Sequence, residues 1–462
     1  SIQLQPLKKE DLQAKKNIIL ILIDALRPDH LTPYGYQRDT TPYLHQFAQN
    51  SLVYTEFYAN APWTRPSTTS FLTGLLPSKH TVENRALALS DEYITLAEHL
   101  KKLGYKTGAV VANGNASSAA GLEQGFDFYS DAKNIKKSLP PAKDIFAIAE
   151  KWLLSVQDSP FFLFLFLVDT HDPYHAPQGF ENYFLPDYKG IILRTPHWEY
   201  NNQYTVPVRE KMVSLYDDAI RYTDFEFGKF IQFLKAKNQF ESSHIFISAD
   251  HGEGFGEHGK YLHSHHFYDE IIRIPLMIKF ADPIKISGTV NQIADTIDIF
   301  PSLILLAHDN VFTVQEYARP LWCDIEPMKT WFIPNVSKNC QQKKLVISEY
   351  HEYGIDRQAI FNDEYKVIYQ YPANEKEFLA HIPEKKLLPS VNFSSEVIQV
   401  FDRKNDVFEK NDLAENMPIE AKKLLQVLKD YHQVVKTRLI KKTADDIPNE
   451  IQQNLRSIGY VQ

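Results

Sequence analysis

Asn17-Ile-Ile-Leu-Ile-Leu-Ile-Asp24 is an unbroken apolar run closed by an acid. It shows no alternation of polar and apolar residues. Such a run reads as a strand buried on both faces, which is the environment of a parallel sheet covered by helices. Two further stretches repeat the pattern: Phe161-Phe-Leu-Phe-Leu-Phe-Leu-Val168 precedes Asp169, and Ile245-Phe-Ile-Ser-Ala precedes Asp250. Strands at 52–59, 105–112 and 277–280 alternate with helical patterns. Those helices are expected from Thr41-Pro42 to about Asn50, from Thr95 to Leu103 with Gly104 as the stop, over 144–156, over 208–236, and over 295–307, where Pro301 interrupts the start. Trp63 to Gly74 reads as a loop entering a helix near Pro66. Alternating strands and helices predict an α/β sandwich with a mostly parallel sheet. Its functional site is expected at the carboxyl ends of the strands, where Asp24, Asp169 and Asp250 share one edge.

After about residue 340 the texture changes. Short strands at 345–350, 358–361, 365–370 and 397–401 precede a charged helix over 418–438. The chain thus divides into an N-terminal extension (1–16), an α/β domain (17–340) and a smaller antiparallel α+β subdomain (341–462). The 462 residues are 44% hydrophobic with a net charge of −8, a globular composition with no basic surplus to neutralise a nucleic-acid polymer. The longest apolar run falls far short of the roughly 20 residues that cross a bilayer. The start at Ser1 is no signal peptide, and an anchor upstream of it stays open. Two cysteines, Cys323 and Cys340, allow one bridge, which would point to an oxidising compartment, or two free thiols.

The chemistry concentrates after the third strand: Asp250-His251-Gly-Glu253-Gly-Phe-Gly-Glu257-His-Gly-Lys-Tyr-Leu-His263. A hard oxygen and an imidazole on glycine-rich backbone are what a divalent cation requires. On its own, such a pair would more often be a turn with a surface histidine. Asp169-Thr-His171-Asp-Pro-Tyr174-His175 follows the second strand.

The order of the motifs resembles the alkaline phosphatase superfamily, most closely its sulfatase-like branch. Asp24-Ala-Leu-Arg27-Pro-Asp29 is similar to that branch's metal-binding first strand. Trp63-Thr64-Arg65-Pro66-Ser-Thr68, running on to Gly74, is similar to its nucleophile segment, and Asp250-His251-Gly252 to its second metal motif. Phe401-Asp-Arg-Lys-Asn-Asp and Leu455-Arg-Ser-Ile-Gly-Tyr-Val resemble its C-terminal subdomain. Formylglycine sulfatases place Cys or Ser two residues before the motif proline and Arg two after it; here stand Thr64 and Thr68. Ala25 replaces the second of the paired acids that hold calcium, and Asn113-Gly-Asn-Ala replaces the Lys-Trp-His element.

What remains is similar to the threonine-nucleophile members: nucleotide pyrophosphatase-like phosphodiesterases, lipoteichoic acid synthases and phosphoethanolamine transferases. The resemblance implies one divalent cation, Zn or Mn rather than Ca, held by Asp24, Thr64, Asp250 and His251. Thr64 would be the nucleophile, passing through a phosphothreonine, with His171 and His263 as catalytic residues. His171, His175, His263, His265, Asp169 and Arg65 are candidates for substrate contact or a second cation, and one cation or two fits equally. Arg27, Asp29, Glu253, Glu257, Glu270 and Arg273 read as supporting residues, and His266, like His175 and His265, is either a further imidazole of the site or a loop histidine facing solvent. Trp63 and Tyr174 read as cleft walls or core. The implied activity is hydrolysis or transfer of a small-molecule, lipid or glycan phosphoester. The resemblance also favours an extracytoplasmic or periplasmic setting. Two rivals stand beside this reading: a sulfatase acting without formylglycine, and a catalytically silent fold used for binding.

Overall fold

The structure is a computed structural model that describes residues 2–4, 15–156, 159–174, 176–192, 204–264, 266–307, 319–325, 340, 344–352, 355–372 and 395–440. The motif from Leu455 to Val461 lies outside them, as do His175 and His265.

Four expected strands lie side by side and parallel in the order Ser243–Ser248, Asn17–Ile23, Phe161–Leu167 and Lys106–Val111, and a fifth that was not expected, Phe128–Ser130, pairs parallel with the last. Ile18 to Ile23 and Phe161 to Leu167 are buried throughout, as the lack of alternation required. Ile23 pairs with Leu167 and Leu22 with Ser248, so Asp24, Asp169 and Asp250 all leave the sheet at one edge. The helices Pro42–Ala48, Ala142–Ser155 and Val206–Ala236 pack on one another. Thr64–Thr73, Leu96–Lys102 and Ile299–Leu306 form a second group. Thr95 caps its helix through a reciprocal box with Glu98. Pro301 sits in the first turn of Ile299–Leu306, where no backbone donor is needed, and a 3-10 turn at Thr296–Asp298 precedes it.

One strand departs from expectation. Arg273–Lys279 begins four residues before the expected 277 and runs antiparallel to both neighbours, Ser243–Ser248 and Leu52–Tyr58. Pro275 argues against a central strand, yet it lies where the register shifts between Ile274 and Leu276, at a bulge that needs no ladder donor there. Beyond Leu52–Tyr58, Ile286–Val290 continues the sheet, and Gln3–Leu4, from the N-terminal extension, pairs antiparallel on its outer edge.

Towards the C-terminus, Val346–Glu352, Ile355–Phe361, Tyr365–Gln370 and Val397–Asp402 form an antiparallel meander. One face carries Ile347, Ile360, Val367 and Val400 against Leu424 and Leu428 of the helix Ile419–Ile440. The other carries Val346, Tyr350, Phe361 and Ile368 against Trp63, Phe267 and Ile271. Cys323 and Cys340 are disulfide-bonded, with Cα atoms 5.3 Å apart. No helix among the described residues is long and apolar enough to cross a membrane.

The meander is fastened to the large sheet's functional edge by a buried cation. Lys366, fully buried, bonds to Asp269, lies 2.6 Å from Glu409 and donates to the Phe267 carbonyl at 3.2 Å. Removing the ammonium leaves the buried Glu409 carboxylate facing the partly exposed carboxylate of Asp269 with no cation between them. Lys366→Met should therefore destabilise the protein by about 3–5 kcal/mol, read as a lower denaturant midpoint at unchanged slope. A shift under about 1 kcal/mol would contradict the role assigned to Lys366.

Candidate active site

The site is built from three chain ends at one edge of the sheet. Asp24 follows the 17–23 strand, and Ala25, at φ +55°, turns the chain sharply away. Asp250 and His251 follow the 243–248 strand. A Cβ on Gly252 would lie 2.1 Å from the Glu270 carbonyl oxygen, so only glycine lets this loop pack where it does. Thr64 is the first residue of the helix Thr64–Thr73, two residues earlier than expected. Trp63 occupies the cap position, and its side chain makes no capping bond. The Thr64 hydroxyl is therefore no helix cap; it lies 3.3 Å from His251 Nε2.

The polar atoms around that point are arranged for a cation. His251 Nδ1–H donates to the Gly252 carbonyl at 2.8 Å, which leaves the lone pair on Nε2. Nε2 lies 3.3 Å from Asp250 Oδ2 and 3.5 Å from Asp24 Oδ1. Those two oxygens are buried without a hydrogen-bond donor. Their partners on the same carboxylates are satisfied: Asp24 Oδ2 accepts from Asn113 at 2.5 Å, and Asp250 Oδ1 from the Ala25 and His251 amides at 3.2 and 3.0 Å. One bare oxygen from each acid, one imidazole nitrogen and one hydroxyl thus converge, a donor set that fits a divalent cation. Burial pushes Asp24 up to about 6 and, with the Asp24 charge beside it, Asp250 up to about 7. Burial pushes His251 down to about 3, so it stays neutral and able to bind metal. Ser67 Oγ ties the helix to this loop by donating to the Asp250 carbonyl at 2.6 Å.

A row of imidazoles extends from the centre. The His263 ring lies 4.2 Å from that of His251 and 5.0 Å from that of His171, centroid to centroid. His171 Nδ1 bonds to the Asp172 carbonyl at 2.7 Å. Burial opposes charge on His171, but Asp24 and Asp172 outweigh it and bring the ring to about 9. Burial and the charge on His171 push His263 down to about 3. The backbone here is held in a disfavoured region: Tyr174 has φ +36°, and Leu262 and Ser264, on either side of His263, have φ +62° and +85°. Each such non-glycine residue costs on the order of 1–3 kcal/mol, a concentration of strain typical of functional sites.

Other candidates are placed elsewhere. Both oxygens of Asp169 accept from the Ala142 amide, at 3.2 and 3.0 Å, so this acid caps the helix Ala142–Ser155 and stays out of the cation group. Arg65 is buried and donates from Nη1 to the Arg85 and Leu87 carbonyls at 2.6 and 3.1 Å, which ties it to a loop. His266 lies 4.0 Å from Glu270, which also takes a bond from His258 at 2.7 Å. Arg27 joins Asp29 and Glu257 at 2.7 and 2.5 Å and donates to the Glu253 carbonyl at 2.9 Å. Tyr174 is buried core, with its hydroxyl 3.0 Å from Glu253.

Asn113 is a site residue that sequence reasoning took only as a missing element. Its signal was its position just beyond the 106–111 strand, on the edge that bears the acids. Tyr216 bridges the Ala25 carbonyl and the Arg27 amide at 2.6 and 2.8 Å, and nothing in the pattern of its helix marks it.

The fold and this edge together define an alkaline phosphatase-like α/β/α architecture, with Asp24, Asp250 and His251 gathered at one corner as a group that could hold a metal ion. Residues 16–309 match the family model described as Sulfatase, and the chain belongs to the sulfatase family. It is 28% identical over 334 residues to an ulvan-active sulfatase of Formosa agariphila, covering 66% of this chain and 64% of that protein. It is 24% identical to iduronate 2-sulfatase of Mus musculus, covering 57% and 59%. The chain thus spans less than two thirds of the length of these two relatives. Among solved structures, a phosphonate monoester hydrolase of Agrobacterium radiobacter shares the fold with TM-score 0.66 at 15% identity, covering 92% and 96% of the two chains. A 2-O GAG sulfatase does so with TM-score 0.68 at 15% identity, covering 94% and 96%.

A protonated carboxyl does not ligate. With Asp24 and Asp250 raised to about 6 and about 7, protons compete for the site below neutrality and leave it as pH rises. Affinity for Zn²⁺ or Mn²⁺, measured by calorimetry, should rise at least about tenfold between roughly pH 5 and pH 8. A flat or falling profile contradicts the assignment of these two acids.

Proposed function

We propose that this protein is a divalent-cation-dependent hydrolase of anionic esters, acting through Thr64, with phosphoesters as the preferred class. The observation that carries the reading is the approach of the Thr64 hydroxyl to the nitrogen and bare oxygens of His251, Asp24 and Asp250. These four residues would hold the cation, and Zn or Mn suits one imidazole among oxygens better than Ca. Bound there, a cation lowers the pKa of the adjacent hydroxyl and offsets charge on the ester.

The remaining work falls to the chain. Thr64 Oγ1, its proton released to solvent, attacks phosphorus in line as the bond to the leaving oxygen breaks, giving a phosphothreonine. His171, drawn toward the protonated form by Asp24 and Asp172, gives its proton to the leaving alkoxide. Water then attacks the phosphothreonine and Thr64 is regenerated; an acceptor hydroxyl in place of water would make the reaction a transfer. The helix beginning at Thr64 turns its first amides toward the group carried on that oxygen. A glycan or small-molecule ester is the substrate class in keeping with the relatives' names. The disulfide between Cys323 and Cys340 favours an oxidising, extracytoplasmic setting. We take residues 17–340 as the catalytic unit and 341–462 as a subdomain that buttresses it.

A second reading is sulfate-ester hydrolysis without formylglycine, and the sulfatase names of the relatives favour it. Threonine oxidation cannot yield the formylglycine aldehyde, and Thr64 is the residue at the cation corner. A panel of aryl phosphate mono- and diesters, aryl phosphonates and aryl sulfates separates the two. With metal content measured in parallel, phosphoester turnover should fall on the order of 10³-fold or more in Thr64→Ala and on chelation. A strong preference for sulfate would move the substrate class to the second reading. An active Thr64→Ala would remove the nucleophile.

A further inference from the structure

Glu253 is fully buried, yet its carboxylate belongs neither to the cation group nor to an ion pair with lysine or arginine. It is held on every side. Its amide donates to the Glu270 carbonyl at 3.0 Å, and its carbonyl accepts from Arg27 at 2.9 Å. Its Oε2 accepts from the Tyr174 hydroxyl at 3.0 Å, and its Oε1 lies 3.2 Å from His263 Nδ1. Tyr174 is wedged against Tyr216 and Phe255, with ring centroids 5.8 and 5.9 Å away. The ionised form of Glu253 only accepts, and opposite it His263 Nδ1 carries the hydrogen and Nε2 carries the lone pair. The His263 ring, tilted by 31° against His251, is thereby kept beside the nitrogen that faces Thr64.

We propose that Glu253 is a positioning residue that fixes His263 in the Nδ1–H tautomer, so that Nε2 acts as the proton acceptor when the ester on Thr64 is hydrolysed. The inference rests on the reading of Thr64 as nucleophile. In this step a water oxygen forms its bond to phosphorus while the bond from phosphorus to Thr64 Oγ1 breaks. The water's proton goes to His263 Nε2 and from there to solvent, the departing Thr64 oxygen takes a proton from solvent, and His171 takes back from solvent the proton it gave to the alkoxide, so all three residues are restored. The Tyr174–Glu253–His263 chain joins three loops that meet only in the folded protein: the one after the 161–167 strand, the one after the 243–248 strand, and the hairpin of Gly254–Phe255 and Tyr261–Leu262. The other tautomer would leave Nδ1 and the Glu253 carboxylate with acceptors facing each other.

The test uses the whole chain, metal-loaded and labelled with ¹⁵N-histidine, with the His263 signal identified by its loss in His263→Gln. Wild type should show the Nδ1–H form. Glu253→Ala should move His263 to the Nε2–H form or a mixture, and should lower kcat about 10- to 100-fold with KM within about twofold and metal content unchanged. Glu253→Gln keeps an acceptor oxygen and should restore the tautomer and most of kcat. Tyr174→Phe, which is isosteric and leaves the fold intact, should give a smaller shift of the same kind. An unchanged tautomer in Glu253→Ala overturns the proposal, as does a loss of kcat matched by a loss of metal. Failure of the nucleophile reading appears separately, as an active Thr64→Ala, because the tautomer is read without turnover.

Discussion

Two carboxylate oxygens, one on Asp24 and one on Asp250, are shut away from water with no donor of their own. Burying one charge in apolar surroundings is unfavourable, and burying two side by side is more so. The strands leave little freedom to relieve it. Ile18 to Ile23 and Ile245 to Ile247 are packed on both faces and locked in register, so both acids emerge together. Asn113 and the amides of Ala25 and His251 satisfy one oxygen of each acid and thereby aim the other at the shared point. A positive charge placed there would end the tension, so the apolar sheet is itself what suits the corner to a cation.

Around that point the chain is forced into conformations it would otherwise avoid. Ala25, Tyr174, Leu262 and Ser264 are all left-handed without being glycine. Each lies beside a group that faces the centre, or carries one. The compensating contacts come from packed aromatic rings and from Arg27, whose guanidinium binds Asp29, Glu257 and the Glu253 carbonyl.

The sheet and the convergence of Asp24, Thr64, Asp250 and His251 were legible because each leaves a pattern that survives in one dimension. An unbroken apolar run has one sensible burial, and Asp250-His251-Gly252 at its end has few structural uses once Asp24 and Thr64 stand in family order. Asp169 shows the limit. It satisfies the same rule, an acid just after a buried strand, and only the fold shows that the amide of Ala142 claims it. The strand expected at 277–280 starts earlier, at Arg273, because Pro275 sits at a bulge that is invisible without its partner strand. Arg65 reads as an anion ligand until the loop whose carbonyls it binds is in place. Glu253 sits two residues after a ligand in a glycine-rich loop with no periodicity, so nothing local marks the bond that joins it to His263.

The buried Lys366 adds a constraint in time. It grips Asp269 from 97 residues downstream, and Glu409 bonds the Asp269 amide from 140 residues downstream. A chain emerging N-terminus first therefore completes Asp24, Thr64, Asp250 and His251 well before it has made the strut behind them. The last support for the segment after His263 arrives only with the C-terminal meander. Were a metal ion bound, its loading and the support of the segment beside it would thus be ordered by synthesis: the corner would be complete early, and the strut behind it late.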